Sequence, residues 1–170
     1  MRWVLDGYNV IRRDPRLQAR EAESLEAGRS ALLGLVARIA GESADVFTVV
    51  FDGARRAAGA PGAGRVEVVF SRPPETADDV VRRLAARLRE GAVVVTSDRA
   101  VQTAARRAGA VAVTAEAFLR AATAPSGPPE DMMKDETEDE DEPSLRRGPR
   151  WRPSREARAA DRVLRRLRAR

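Results

Sequence analysis

The sequence predicts an α/β protein with a parallel sheet that is covered by helices on both faces. Short apolar runs alternate with segments of helical periodicity through residues 1–122, an alternation typical of βαβ units. The longest run, Val46–Phe51, contains a single polar residue, as expected for a strand buried on both sides. Glycine follows three of the helical segments. Because crossovers in such sheets are right-handed, the strands should all end at one edge, where open α/β sheets build their sites.

Five apolar runs predict strands. They are residues 3–5, Val46–Phe51, Val66–Phe70, Ala92–Val95 and Val111–Val113. Apolar residues at helical spacing predict helices over residues 24–40, 76–89, 98–108 and 116–122. Gly7, Tyr8 and Asn9 predict a turn, because Gly and Asn tolerate positive φ. Residues 53–64 are rich in Gly and Ala and predict a loop.

The C-terminal part of the chain differs in composition from residues 1–123, which we expect to form the folded domain. Residues 124–150 are rich in Pro, Gly and acidic residues, which predicts a disordered acidic linker. Residues 151–170 predict a basic amphipathic helix with Ser154 as its N-cap and one apolar stripe. The stripe consists of Ala157, Ala160, Val163, Leu164 and Leu167. Three interpretations stay open. This segment and Trp151 bind RNA or the ribosomal surface, the stripe packs on the domain, or the acidic run folds over the basic surface and screens non-specific RNA.

The formal net charge of +5 is unevenly distributed along the chain. Residues 130–142 contain nine acidic residues and one Lys, whereas residues 143–170 contain 11 Arg and two acidic residues. Blocks of like charge are typical of solvated or interacting tails, and a basic total favours a nucleic-acid partner. However, 30 of the 31 basic residues are Arg and Ala is abundant, which a GC-rich genome would also produce. The arginine excess alone is therefore weak support for nucleic-acid binding.

Two residue types are missing, because the chain contains no His and no Cys. Their absence excludes Ser-His-Asp and Cys-His nucleophiles, a histidine general base, and zinc sites built from thiolates or imidazoles. It also excludes disulfide bonds. No run of about 18 apolar residues occurs, and the N-terminus lacks the pattern of a secretory signal. We therefore expect a cytoplasmic protein.

Acidic residues lie at the ends of four predicted strands or at the starts of the helices that follow them. They are Asp6, Asp52, Asp78 and Asp98. Two unit charges about 4 Å apart repel by about 4 kcal/mol at an effective dielectric constant near 20, so such a cluster needs a cation or protonation. One or two Mg²⁺ ions would suit oxygen ligands of this kind. Metal-activated hydrolysis of a phosphodiester therefore fits both the residues present and those missing.

Each of these aspartates also has a purely structural interpretation. Asp6 before Gly7 would form an Asx turn, and Asp52 before Gly53 would be a turn or supporting residue. The segment from Thr76 to Asp79 matches a capping box, which leaves Asp78 as the freer ligand candidate. Asp98 would be an N-cap. The functional interpretation therefore depends on the shared position of all four rather than on any single aspartate.

Several segments of the chain resemble the YacP-like NYN-domain family, which lies within the PIN-like ribonuclease superfamily. The resemblance begins with the run VLDGYNVI, residues 4–11, and continues with VVFDG, residues 49–53, and with Val66–Phe70. It extends through ETADD, residues 75–79, and VTSD, residues 95–98, with Gln102. Any one of these segments is commonplace, but together, in the order and spacing of the family, they cover about residues 1–122.

The resemblance implies an α/β/α sandwich and a Mg²⁺- or Mn²⁺-dependent endoribonuclease, with mRNA on translating ribosomes among its substrates. It implies that Asp6, Asp78 and Asp98 are the catalytic, metal-binding residues. Further ligands or supporting residues would be Asn9, Asp52, Glu75 and Ser97. In relatives of this family a largely helical extension follows the domain, whereas here an acidic segment comes before the basic helix.

RNA has to approach the carboxylates against their charge, so we expect cationic residues around the site. The candidates are Arg12, Arg13, Arg55, Arg56, Arg72 and Arg99. Tyr8 would stack on a base or pack beneath the turn. Two other functions remain: an RNA- or ribosome-binding module without catalysis, and a nucleotide-binding α/β domain. The second is disfavoured because neither G-x-G-x-x-G nor G-x-x-x-x-G-K-[ST] occurs.

Overall fold

The computed structural model describes residues 1–53, 64–124 and 154–168. Its strands are β1 (Arg2–Asp6), β2 (Val46–Phe51), β3 (Val66–Phe70), β4 (Ala92–Val95) and β5 (Val111–Val113). They form one five-stranded sheet in the order β3-β2-β1-β4-β5, and every pairing is parallel. All five predicted strands and the parallel sheet are thus confirmed.

Helices cover both faces of this sheet. They are α1 (Gly7–Ile11), α2 (Pro15–Glu23), α3 (Leu25–Gly41), α4 (Ala77–Leu88), α5 (Arg99–Arg107), α6 (Ala115–Thr123) and α7 (Arg155–Arg168), with a 3-10 turn at Arg89–Gly91. The predicted helices are present, with ends that differ by one or two residues. Within the described part of the chain, no helix combines the length and the apolar character needed to cross a membrane.

Two segments near the N-terminus differ from the sequence prediction. The turn predicted at residues 7–9 is wrong, because these residues open α1, whose N-cap is Asp6. Helix α2 was not predicted at all, since it buries only Leu17 and has no apolar periodicity. Its start has a local cause: the Asp14 carboxylate accepts hydrogen bonds from the backbone N–H groups of Arg16 and Leu17, with Pro15 at the first helical position.

Consecutive residues of β1 point to opposite faces of the sheet and build two separate cores. Trp3 and Leu5 belong to a core that includes residues of α1, α2, α3, α6 and α7, whereas Val4 belongs to a core with residues of α4 and α5. This alternation follows from the two-residue period of a strand. The fold is therefore a three-layer α/β/α sandwich, and its central strand is buried on both sides.

The strand order places a topological switch between β1 and β4. The chain moves outward from β1 through β2 to β3, then crosses back to β4 on the other side of β1. Leu5 is in register with Val49 on one side and Val95 on the other. Open α/β sheets bind ligands in the crevice at such a switch, outside the carboxyl ends of the strands. Asp6 ends β1, and Thr96 and Ser97 come directly after β4, so all three lie at that crevice.

Helix α7 packs against the sandwich, as one of the three sequence interpretations expected. Val163 and Leu167 are buried in the same core as Trp3. Asp45 accepts a hydrogen bond from Trp3 Nε1 at 3.0 Å and lies 3.5 Å from Arg166 Nη2. Several arginines of α7 remain exposed, so packing does not exclude RNA binding. The linker, Trp151 and the division of the chain at 123 and 150 stay predictions, because residues 125–153 lie outside the described part.

Gly7 allows α1 to lie directly against the aromatic ring of Phe51. A Cβ atom built on Gly7 would overlap three ring atoms of Phe51, and both residues are buried. By contrast, a Cβ atom on Gly34, which is exposed in the middle of α3, would meet no atom within 4 Å. Position 7 therefore needs glycine for packing, whereas position 34 does not.

We expect Gly7→Ala to lower the free energy of unfolding by about 1–3 kcal/mol, because overfilling a packed core forces its neighbours to shift. Gly34→Ala is the matched control and should raise that free energy by about 0.5–1 kcal/mol, through its effect on helix propensity. Urea unfolding followed by circular dichroism measures both. A Gly7→Ala protein as stable as the parent would contradict the packing argument.

Candidate active site

A cavity of about 1000 Å³ opens at the carboxyl edge of the sheet. Five acidic residues line it: Asp6, Asp52, Asp78 and Asp98, which were expected at this edge, and Glu26 in the first turn of α3. The same lining contains basic and aromatic side chains, namely Tyr8, Arg12, Arg13 and Arg29. The fold thus brings together carboxylates that are separated by up to 92 positions in the sequence.

Asp6 is the most buried of these carboxylates, with 8% of its surface exposed. Its Oδ1 accepts a hydrogen bond from the backbone N–H of Asn9 and its Oδ2 accepts one from the Thr96 hydroxyl, both at 3.2 Å. Burial raises the pKa of Asp6 to about 6, and the negative charges of Asp78 and Asp52 add to the rise, whereas the two hydrogen bonds oppose it. Asp6 therefore carries a charge that the protein interior disfavours.

Thr96 connects Asp6 with Asp98. Its hydroxyl donates to Asp6 and accepts a hydrogen bond from the backbone N–H of Asp98 at 3.2 Å. Asp98 caps α5, since its Oδ1 accepts from the backbone N–H of Val101 at 2.8 Å. Its expected role as an N-cap is therefore confirmed, and the same residue also lines the cavity. Thr96 was missed as a site residue, although it lies inside the VTSD run.

Asp78 lies in the first turn of α4 and is half-buried. Burial is the main cause that raises its pKa, and the charges of Asp98, Asp52 and Asp79 raise it further, while Arg82 at 3.5 Å opposes the rise. Its neighbour Asp79 forms the predicted capping box with Thr76. Because Asp79 is occupied as a cap, Asp78 is the carboxylate of this turn that lines the cavity.

Asp52 fixes the start of α4. Its Oδ1 accepts hydrogen bonds from the Ser71 hydroxyl at 2.8 Å and from the backbone N–H of Ala77 at 2.7 Å. Ala77 immediately precedes Asp78, so Asp52 holds the backbone from which Asp78 projects. This geometry matches the interpretation of Asp52 as a supporting residue at the site.

Asn9 and Ser97 belong to a network beside the carboxylates. Asn9 Oδ1 accepts a hydrogen bond from the backbone N–H of Ser97 at 2.7 Å, and the Ser97 hydroxyl donates to Glu116 at 2.6 Å. This bond is the main cause that lowers the pKa of Glu116, and Arg13 at 3.3 Å contributes. Asn9 lines the cavity whereas Ser97 does not. Because the side-chain oxygen of Asn9 accepts this hydrogen bond from Ser97, the side-chain Nδ2 of Asn9 is the group that can donate a hydrogen bond to a ligand.

Glu75 does not line the cavity, so the expectation that it is a ligand is not supported. Its carboxylate pairs with the Arg83 guanidinium at 2.9 Å and 3.2 Å. Two of the predicted RNA-binding arginines, Arg12 and Arg13, line the cavity, whereas Arg72 and Arg99 are exposed but do not. Arg55 and Arg56 lie outside the described residues. Arg29 lines the cavity and was missed, because no local motif distinguishes it within α3.

Tyr8 packs beneath α1, as one of the two sequence interpretations expected, whereas stacking on a base stays a prediction. Its ring packs edge-on against Phe51 with the ring centroids 5.3 Å apart, and it is only half-buried and lines the cavity. One part of the ring therefore belongs to the packing beneath α1, and another part remains available to a ligand.

The chemistry of these side chains fits a hard divalent cation, because Asp6, Asp52, Asp78 and Asp98 place their carboxylates in one cavity. Their present arrangement is not that of a closed metal site. Among the described residues, no three acidic side chains are grouped closely enough to hold an ion. Asp6, Asp98 and Asp78 are instead engaged by Thr96, Val101 and Arg82 respectively. The donor set fits the cation, and the side chains would have to turn toward it.

The raised pKa of Asp6 predicts a pH dependence of stability in metal-free buffer. Between pH about 4 and pH about 6 the carboxyl is ionised in the unfolded chain and protonated in the folded one, so stability falls as pH rises. The shift from 3.8 to about 6 corresponds to a loss on the order of 3 kcal/mol.

We therefore expect Asp6→Asn to be more stable than the parent at pH 8 and to lose that advantage at pH 4. Urea unfolding in EDTA at several pH values measures the difference. Asp161→Asn on the exposed face of α7 is the control and should show no such change. A difference between the parent and Asp6→Asn that does not vary with pH would contradict the buried-charge argument.

Comparison with known proteins identifies the family. Residues 3–163 match the YacP-like NYN domain. The protein named uncharacterized protein YacP of Bacillus subtilis (strain 168) is 35% identical over 123 residues, which cover 69% of this chain and 72% of the relative.

Two crystal structures of Rae1 (YacP) from Bacillus subtilis have the same fold. One, of a point mutant, gives a TM-score of 0.61 at 31% identity and covers 72% of this chain and 74% of that chain. The other gives 0.63 at 32% identity and covers 72% and 73%. Together with the sheet order and the position of the four aspartates, these matches show that the chain belongs to the YacP-like NYN domain family, within the PIN-like nuclease superfamily.

Proposed function

We propose that the protein is a Mg²⁺- or Mn²⁺-dependent endoribonuclease that hydrolyses phosphodiester bonds of RNA. The observation that carries the proposal is the convergence of four carboxylates in one cavity at the switch point of the sheet. Membership of a nuclease superfamily supports the same reaction class. The absence of His and Cys removes cysteine nucleophiles and histidine general bases, which would offer another route.

Asp6, Asp78 and Asp98 are the residues that would hold the cation. Such an ion, when bound, neutralises the carboxylates, polarises a phosphate oxygen and lowers the pKa of a water molecule. The chain's own contribution is orientation: Thr96 and Asn9 fix Asp6, Val101 fixes Asp98, and Asp52 fixes the turn that carries Asp78.

The reaction proposed at this site is in-line attack of water on phosphorus. A bond forms between the water oxygen and phosphorus, and the bond from phosphorus to the 3′ oxygen breaks, which leaves a 5′-phosphate and a 3′-hydroxyl. Asn9 is the side chain with an amide available to donate to a phosphate oxygen. The narrower proposal, that the substrate is mRNA on the ribosome, rests on the family resemblance and is tested by supplying ribosomes to the cleavage assay.

We expect Asp98→Asn to lower the rate of RNA cleavage at least about a hundredfold, since metal-site and transition-state electrostatics typically account for such factors. Asparagine caps helices as well as aspartate does, so the variant should fold normally. Asp6→Asn and Asp78→Asn should behave alike, and Asp161→Asn is the control. Full activity of Asp98→Asn, or undiminished cleavage in EDTA, would refute the catalytic assignment.

A second candidate function is an RNA-binding module without catalysis. It is favoured by the observation that no three described carboxylates are close enough together to hold one ion. The two functions differ in what metal does to the protein. If the cavity binds Mn²⁺ or Mg²⁺, the ion relieves the repulsion among the carboxylates and stabilises the fold. The gain is about 2.7 kcal/mol at a concentration a hundred times the Kd.

We therefore expect millimolar Mn²⁺ to raise the melting temperature of the parent and to leave that of Asp78→Asn nearly unchanged. Differential scanning calorimetry measures both, with Asp161→Asn as the control that should respond like the parent. An equal response of Asp78→Asn and the parent would place the ion elsewhere. No response of any variant would favour the non-catalytic module.

A further inference from the structure

Several arginines near the carboxylates are already paired with acidic residues. Arg13 pairs with Glu116, Arg82 with Asp78 and Asp79, and Arg83 with Glu75. Within residues 1–53, 64–124 and 154–168, Arg12 and Arg29 form no ion pair although both line the cavity, and of these two only Arg29 is half-buried. A half-buried cation without a carboxylate partner has a charge that is available to a ligand.

Arg29 is held in place by aromatic rings instead of by an acid. Its Nε donates to the Tyr8 hydroxyl oxygen at 2.8 Å, and its Nη2 donates to the same oxygen. Its Cζ lies 5.4 Å from the Tyr8 ring centroid, 5.7 Å from that of Phe51 and 5.3 Å from that of Phe70. Such cation–π contacts replace part of the hydration that a half-buried guanidinium loses. The group is therefore fixed before any ligand arrives.

This fixed guanidinium retains hydrogen-bonding capacity. Nε and Nη2 are directed to Tyr8, whereas Nη1 forms no hydrogen bond to any described residue and is not a buried unsatisfied atom. The Tyr8 hydroxyl accepts from Arg29, so its own proton is free to be donated. Arg12 lies at the same ring, with its Cζ 5.9 Å from the Tyr8 centroid. Donors of this kind suit the oxygens of a phosphate.

A nucleic-acid strand that enters the cavity meets five carboxylates, which repel its phosphates. A fixed positive charge in the same cavity offsets this repulsion and also defines where the strand lies, because phosphate contacts set register. We propose that Arg29, oriented by Tyr8, binds a backbone phosphate of the RNA strand and thereby positions that strand relative to the carboxylates. The identity of the ligand rests on the proposed function.

The test measures binding and not cleavage. A fluorescein-labelled single-stranded oligoribonucleotide is titrated with the full chain in EDTA, and anisotropy gives the affinity at several salt concentrations. Arg29→Gln should weaken binding on the order of tenfold, as expected for one lost charged hydrogen bond. The slope of log affinity against log salt should decrease in magnitude by about 0.7, the value for one phosphate contact on a single strand.

Arg38→Gln is the matched control, because Arg38 lies on the same helix, is exposed and does not line the cavity. It should bind as the parent does. Arg29→Lys keeps the charge and should keep the parent's salt slope with a smaller loss of affinity. Tyr8→Phe keeps the ring and should bind less tightly than the parent. The melting temperature of each variant is compared with that of the parent, so that a loss of binding can be distinguished from a loss of folding.

The proposal is overturned if Arg29→Gln binds with the affinity and salt slope of the parent. It is also overturned if Arg29→Lys loses the salt slope as fully as Arg29→Gln, since Arg29 would then serve packing alone. Failure of the proposed function has a different signature: Asp98→Asn would cleave as the parent does, or the parent itself would not cleave RNA, while the effect of Arg29→Gln on binding would remain.

Discussion

Burial of one carboxylate at the end of the central strand is the constraint on which the site depends. Asp6 follows three buried residues of β1 directly and precedes a glycine that starts a helix. A charge in this position loses hydration, and the described residues return only two hydrogen bonds to its carboxylate. Neighbouring aspartates add repulsion and do not relieve it. A folded protein retains such an arrangement where a ligand uses it, which is how functional sites commonly depart from local rules of stability.

The supporting residues around the carboxylates share one property: each connects two elements of the fold through a single polar group. Thr96 joins the end of β1 to the start of α5, and Asp52 joins the end of β2 to the start of α4. Asn9 joins α1 to the segment after β4. These connections help to set the distances between the aspartates. Of the three connecting side chains, only that of Asp52 carries a charge. Arg29 in the same cavity is positioned differently, because aromatic rings hold its guanidinium.

The sequence was sufficient for most local signals, although the turn predicted at residues 7–9 is the start of α1. Apolar runs gave all five strands, and the aspartates at strand ends followed from topology, because parallel strands share one carboxyl edge. The capping box at Thr76 separated Asp79 from Asp78 correctly. The features that the sequence did not predict depend on non-local contacts or have little apolar character. Helix α2 buries one side chain, and Arg29 gains its position only when α3 packs over Tyr8 and Phe51. Glu75 lies within a matching motif, but its carboxylate pairs with Arg83 and is not part of the cavity lining, so its role as a supporting residue stays a prediction.

The contact between Gly7 and Phe51 has a consequence for genetics. Any missense change in codon 7 adds at least a Cβ atom, and that atom would overlap the Phe51 ring. A screen for loss-of-function alleles would therefore recover codon 7 beside codon 6, and the two would look alike in the cell. Immunoblotting would separate them, because alleles of codon 7 should reduce the amount of protein, whereas Asp6→Asn should leave an abundant, inactive product.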